Sequence, residues 1–152
     1  LPNDAEAHNN LGSVLQDLGQ LDAAVASYRR ALKINPDDPA VHNNLGTALQ
    51  DLGQFTDAVT SYRQALKIEP HYAEAYNNLG IALQDLGQLD GAVASYRQAL
   101  KIKPDYAEAY CGLGIALKNL GQTVDAVASF HRALEIKPNY AEAHTYLGNA
   151  LL

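Results

Sequence analysis

The chain has 152 residues with one Cys, no Trp and no Met, and 17 acidic residues against 11 basic ones give a net charge of −6. A single Cys111 excludes an intramolecular disulfide framework and a multi-cysteine metal site, and the acidic balance argues against duplex nucleic acid, which is held by Lys and Arg on phosphates. No apolar run reaches the length of a membrane span and no stretch reads as a secretion signal, which favours a cytoplasmic location. A stretch of this length without Met reads as a segment of something longer.

Residues 1–4 form a lead-in, and from residue 5 the sequence repeats itself. His8-Asn9-Asn10-Leu11-Gly12 returns as His42-Asn43-Asn44-Leu45-Gly46 and Tyr76-Asn77-Asn78-Leu79-Gly80. It returns more loosely as Tyr110-Cys111-Gly112-Leu113-Gly114 and His144-Thr145-Tyr146-Leu147-Gly148. The step is 34 residues, a spacing that signals a repeat architecture. The first unit, 5–38, reads as a helix hairpin. Leu11, Leu15 and Leu18 recur at helical spacing. Asn3 with Glu6 reads as a capping box at the start of the first helix. Gly19 suits the left-handed position after its end. Val25, Tyr28 and Leu32 mark one face of a second helix, which Pro36 stops. Gly12 and Ala24 are small where the two helices must approach. Units 39–72, 73–106 and 107–140 keep the same columns, with Asp105/Glu108 and Asn139/Glu142 repeating the capping arrangement. Residues 141–152 begin a fifth unit. Four hairpins and this stub predict about nine helices and no strands.

The column of Leu, Gly, Leu, Gly, Ala, aromatic, Ala and Pro resembles the tetratricopeptide repeat across residues 5–152. The chain departs from that pattern in having His8, His42, Tyr76, Tyr110 and His144 at the family's Trp position, and Leu15, Leu49, Leu83 and Leu117 at its Tyr position. The resemblance implies an all-α, right-handed superhelical solenoid of antiparallel helix hairpins, with the first helices lining a concave groove. It also implies a binding scaffold without catalytic residues. One further column, Asn10, Asn44 and Asn78, is similar to the asparagine ladder in the arrays of O-linked N-acetylglucosamine transferases, where the amides grip a peptide backbone. Here it breaks at Gly112 and Tyr146.

Helical spacing opposite the leucines picks out the expected groove. It comprises Asn9, Asn10, Ser13 and Asp17 of the first unit, Asn43, Asn44, Thr47 and Asp51 of the second, Asn77, Asn78, Ile81 and Asp85 of the third, Cys111, Gly112 and Ile115 of the fourth, and Tyr146 of the stub. An Asn side chain offers two donors and an acceptor, which suits the alternating groups of an extended peptide backbone. The Asp column favours cationic partners, and Ile81, Cys111, Ile115 and Tyr146 add an apolar end. The expected partner is therefore a protein or extended peptide with basic and apolar portions.

Nothing calls for a cofactor or metal. The five His form no zinc-type pair; His8, His42 and His144 read as partly buried residues at the helix–helix packing position. The groove face lacks the cations of a carboxylate clamp. Two other functions stay open: self-assembly through the apolar end at Leu147, Ala150, Leu151 and Leu152, and service as the substrate-recruiting arm of a larger enzyme such as a glycosyltransferase.

Overall fold

The computed structural model describes residues 4–152. Among these, nine helices run in order: α1 (Ala5–Asp17), α2 (Leu21–Ile34), α3 (Pro39–Asp51), α4 (Phe55–Ile68), α5 (Ala73–Asp85), α6 (Leu89–Ile102), α7 (Ala107–Asn119), α8 (Thr123–Ile136) and α9 (Ala141–Ala150). No strand occurs among the described residues, and the fold is an all-α helical solenoid. Two compact units, Leu1–Ala75 and Tyr76–Leu152, divide the chain. In the first, α1 packs on α2, α2 on α3 and α3 on α4; in the second, α6 packs on α7, α7 on α8 and α8 on α9.

The first helix of each of the four full hairpins ends in a glycine turn. At Gly19 φ is 75°, a conformation that a side chain would strain, and Gly53, Gly87 and Gly121 repeat it. Around Gly19 the N–H of Gly19 donates to Gln16 O (2.9 Å) and that of Gln20 to Leu15 O (2.8 Å). These two bonds satisfy carbonyls that the helix end leaves open, in a Schellman arrangement. The second helices stop at Ile34, Ile68, Ile102 and Ile136, two residues before Pro36, Pro70, Pro104 and Pro138.

Inside each hairpin an aromatic ring lies directly on a glycine. Tyr28, Tyr62, Tyr96 and Phe130 are at most 1% exposed. A Cβ at Gly12, Gly46, Gly80 or Gly114 would come within 2.5–2.7 Å of a carbon of the facing ring. Only hydrogen at these positions lets the ring fill the space between the helices. Burying such a side chain contributes on the order of 1.5–3 kcal/mol. Leu45, Leu49, Leu79, Leu83, Leu113 and Leu117 complete the core. Leu11 and Leu18 depart from this, at 46% and 66% exposed, because among the described residues no helix precedes α1.

Helix starts correct the sequence reading. Asn3 lies outside the described residues, and the side-chain cap of α1 is Asp4, which accepts from Ala7 N at 3.2 Å. Asp38 caps α3 by accepting from Ala40 N (3.0 Å) and Val41 N (3.3 Å), with Pro39 in the first turn. The expected caps Asp105 and Asn139 stand one residue too early. Tyr106 and Tyr140 hold the cap positions, without a side-chain capping bond. Each ring is half-buried with a lysine ammonium over it, Lys103 at 4.5 Å and Lys137 at 4.6 Å. Packing of an aromatic has displaced polar capping here, and only the first-turn Glu108 and Glu142 serve the helix dipole.

Candidate binding faces

In the first unit the expected groove residues of α1 and α3 are stitched together. Asn44 Nδ2 donates to Asn9 Oδ1 (3.1 Å), and Thr47 Oγ1 donates to Asn44 O (2.7 Å). Gln16 Nε2 donates to Asp51 Oδ2 (2.8 Å). Asn10, Ser13, Asp17 and Asp51 are exposed, Asn9, Asn44 and Thr47 half-buried, and Asn43 buried. Asn43 is hydrogen-bonded to Tyr72, whose phenol burial and the charge of Glu74 push above its ordinary value. The two neighbouring asparagines of each motif thus have different environments. Successive helix residues point 100° apart, so one of the pair turns toward the adjoining helix.

Gln16 does a second job that the sequence reading missed. Its Oε1 accepts from Tyr28 Oη at 3.0 Å, and Gln50 and Gln84 accept likewise from Tyr62 (2.8 Å) and Tyr96 (3.0 Å). A buried phenol must find an acceptor, since an orphaned polar group costs about 1–3 kcal/mol. In the fourth hairpin both partners change together: Phe130 has no hydroxyl and Lys118 has no acceptor. The signal was available as a covarying pair of columns twelve residues apart.

In the second unit α5, α7 and α9 surround a cleft of about 370 Å³. Asn77, Ile81, Asp85, Cys111, Gly112, Ile115 and Tyr146 line it, all expected from the sequence to share a groove. Tyr96, Tyr140, Gln84, Glu108 and Glu142 complete the wall. Tyr96 arrives there by being held between two glycines. A Cβ at Gly80 would meet its ring at 2.7 Å, and one at Gly112 at 2.6 Å. Gly112, where the first three units carry Asn, is what makes room for this ring. Asn78 is half-buried and is not among the residues that line the cleft. Tyr146 stacks on Phe130 with centroids 5.9 Å apart and planes 9° apart, which fixes the far wall.

Burial governs the titration of the cleft. Cys111, 2% exposed, has its thiol pushed up to about 11 by desolvation, with the charge of Glu142 adding to it and a Tyr140 hydrogen bond opposing it. Desolvation likewise raises the Tyr96 and Tyr140 phenols well above their ordinary value. A thiol held neutral is poorly suited to nucleophilic or metal-binding work. Among the described residues, no three His, Cys, Asp or Glu side chains are placed to hold a metal ion. The histidines act locally: His42 Nε2 and His144 Nε2 each lie 2.8 Å from a proline carbonyl, Pro36 O and Pro138 O. His42 is half-buried and His144 exposed, so they fasten the loop before the helix more than they fill a helix interface. Among the described residues no helix is long and apolar enough to cross a membrane.

Repeated helix hairpins with conserved internal packing and a variable polar face define a class of protein-interaction scaffold. Models of the tetratricopeptide repeat match residues 12–53, 48–87, 82–121 and 107–140, and the chain belongs to that family. No curated protein matches it in sequence. Similar solved structures include MamA, at 27% identity and a TM-score of 0.85 over 91% of this chain and 81% of that one. A MamA segment from Desulfovibrio magneticus RS-1 superposes with a TM-score of 0.88 at 24% identity, over 96% and 82% of the two chains. YrrB, a TPR protein with an unusual peptide-binding site, superposes at 0.80 with 23% identity, over 97% and 76%.

Proposed function

We propose that the chain is a non-catalytic scaffold that binds an extended protein segment, carrying basic and apolar portions, on its first-helix faces. The observation that carries this reading is the asparagine at one position in three successive units, Asn10 exposed and Asn44 and Asn78 half-buried, flanked by the exposed carboxylates of Asp17, Asp51 and Asp85. Amides at regular spacing match a repeating backbone, and the carboxylates select a cationic segment. YrrB supports the reading in one respect: the same fold there carries a peptide-binding site. The test is calorimetry with a peptide selected from a random display library against the intact chain. Replacing Asn10, Asn44 and Asn78 together by Ala is expected to weaken binding at least tenfold, with helicity unchanged. Equal affinity of the triple variant would overturn the reading.

A second reading, self-association, is favoured by Val124, Leu151 and Leu152, which are 85%, 66% and fully exposed. Sedimentation over a hundredfold concentration range tests it. A dimer that disappears when Leu151 and Leu152 become Ser supports assembly, and a monomer throughout excludes it.

A further inference from the structure

We propose that the cleft of the second unit is a receptor for one arginine side chain of the bound protein segment. This rests on the reading of the chain as a binding scaffold and assigns the cleft a single occupant. At about 370 Å³ it stands at the small end of ligand pockets, with room for a long side chain rather than for a cofactor. Ile81, Ile115 and Tyr146 offer apolar surface to an aliphatic stem, the way long charged side chains are normally accommodated.

The polar part of the wall asks for a donor. Asp85, Glu108 and Glu142 contribute three carboxylates, and no Lys or Arg lines the cleft. The cations nearby are at its rim: Lys137 Nζ lies 3.6 Å from Glu108, and Lys118 Nζ lies 6.0 Å from the centre of the Tyr146 ring. Glu142 also accepts a long hydrogen bond of 3.4 Å from Tyr140 Oη. Two rim cations against three carboxylates leave the cleft negative.

Asn77 supplies a second, independent indication. It is 6% exposed and lines the cleft, and its Oδ1 is the one buried side-chain polar atom among the described residues without a hydrogen-bond partner. A buried acceptor left unpaired is costly, and a ligand N–H removes that cost on binding. Several acceptors distributed around one small space suit guanidinium, with five N–H donors in a planar fork, better than the compact ammonium of lysine.

The probe is N-acetyl-arginine methylamide, titrated into the isotope-labelled chain and followed by amide and Asn side-chain resonances, with the citrulline derivative as its neutral isostere. The expected result is saturable shifts centred on Asn77, Cys111 and Ile115. Binding should be about tenfold weaker for citrulline, for the lysine derivative and for Glu142→Gln, whose position is exposed. Citrulline binding as well as arginine, or shifts centred elsewhere, would overturn the assignment. So would an absence of shifts while the selected peptide still binds in an Asn10-, Asn44- and Asn78-dependent way, and that outcome would leave the scaffold reading intact.

Discussion

One column of five glycines allows the same substitution to be predicted with opposite signs. At Gly114 a Cβ would lie 2.6 Å from Phe130 Cε1 and 2.8 Å from two other ring carbons. Ordinary contact begins near 3.4 Å, so the ring would have to retreat by roughly 0.8 Å. It has nowhere to go: Phe130 is fully buried, and Tyr146 is stacked on it. Interiors are packed like crystals, and overfilling them costs about 1–3 kcal/mol. Ala gains about 1 kcal/mol over Gly as a helix former. Gly114→Ala is therefore expected to destabilise the chain, by about 1 kcal/mol net at the middle of that range. At Gly148 nothing lies within 4 Å of the same Cβ, so only the helix term remains, reduced because Gly148 is near the end of α9. Gly148→Ala is expected to stabilise by up to about 0.5 kcal/mol. Urea unfolding followed by circular dichroism measures both, with the slope checked for each variant because repeat arrays can unfold in more than one step. A Gly114→Ala protein as stable as the parent would refute the close-approach argument.

The helix starts give a second contrast. Asp38→Ala removes the cap of α3 and should lower stability by about 1 kcal/mol, whereas Asp105→Ala, one residue ahead of the actual cap position of α7, should change it by less than about 0.5 kcal/mol; urea midpoints of the two variants decide. Alkaline pH gives a third. The folded Cys111 thiol holds its proton to about pH 11, against an ordinary value of 9.0, so its burial contributes fully below pH 9 and that contribution is lost between pH 9 and 11. At pH 8 iodoacetamide should alkylate the native thiol at least tenfold more slowly than the thiol in urea. Equal rates would show that Cys111 is accessible.

The repeat, the number of helices and their turns were legible because they depend on local chemistry. Gly19 and Pro36 act through backbone angles of their own segment, and Leu45 with Leu49 declares a buried stripe by spacing alone. Capping was misread for a related reason. A polar residue before Ala107 looks like a cap, but whether it or Tyr106 takes the position depends on where the aromatic ring packs, and that is a tertiary quantity. Lys103 above the Tyr106 ring belongs to the same choice.

The candidate face divides in the same way. Spacing identified Asn43 and Asn44 as neighbours on one stripe, yet only the packed structure shows Asn43 buried and bonded to Tyr72 while Asn44 donates to Asn9. Gly112 could be read from sequence as a groove position and a break in an asparagine column; the structure gives the break a cause, the Tyr96 ring at 2.6 Å from where its Cβ would stand. The sequence by itself determined which residues repeat and therefore which helices form, since helix periodicity and turn chemistry act over a few residues. Tertiary structure alone decided which polar groups are spent on one another, because that depends on side chains a full repeat apart meeting in space.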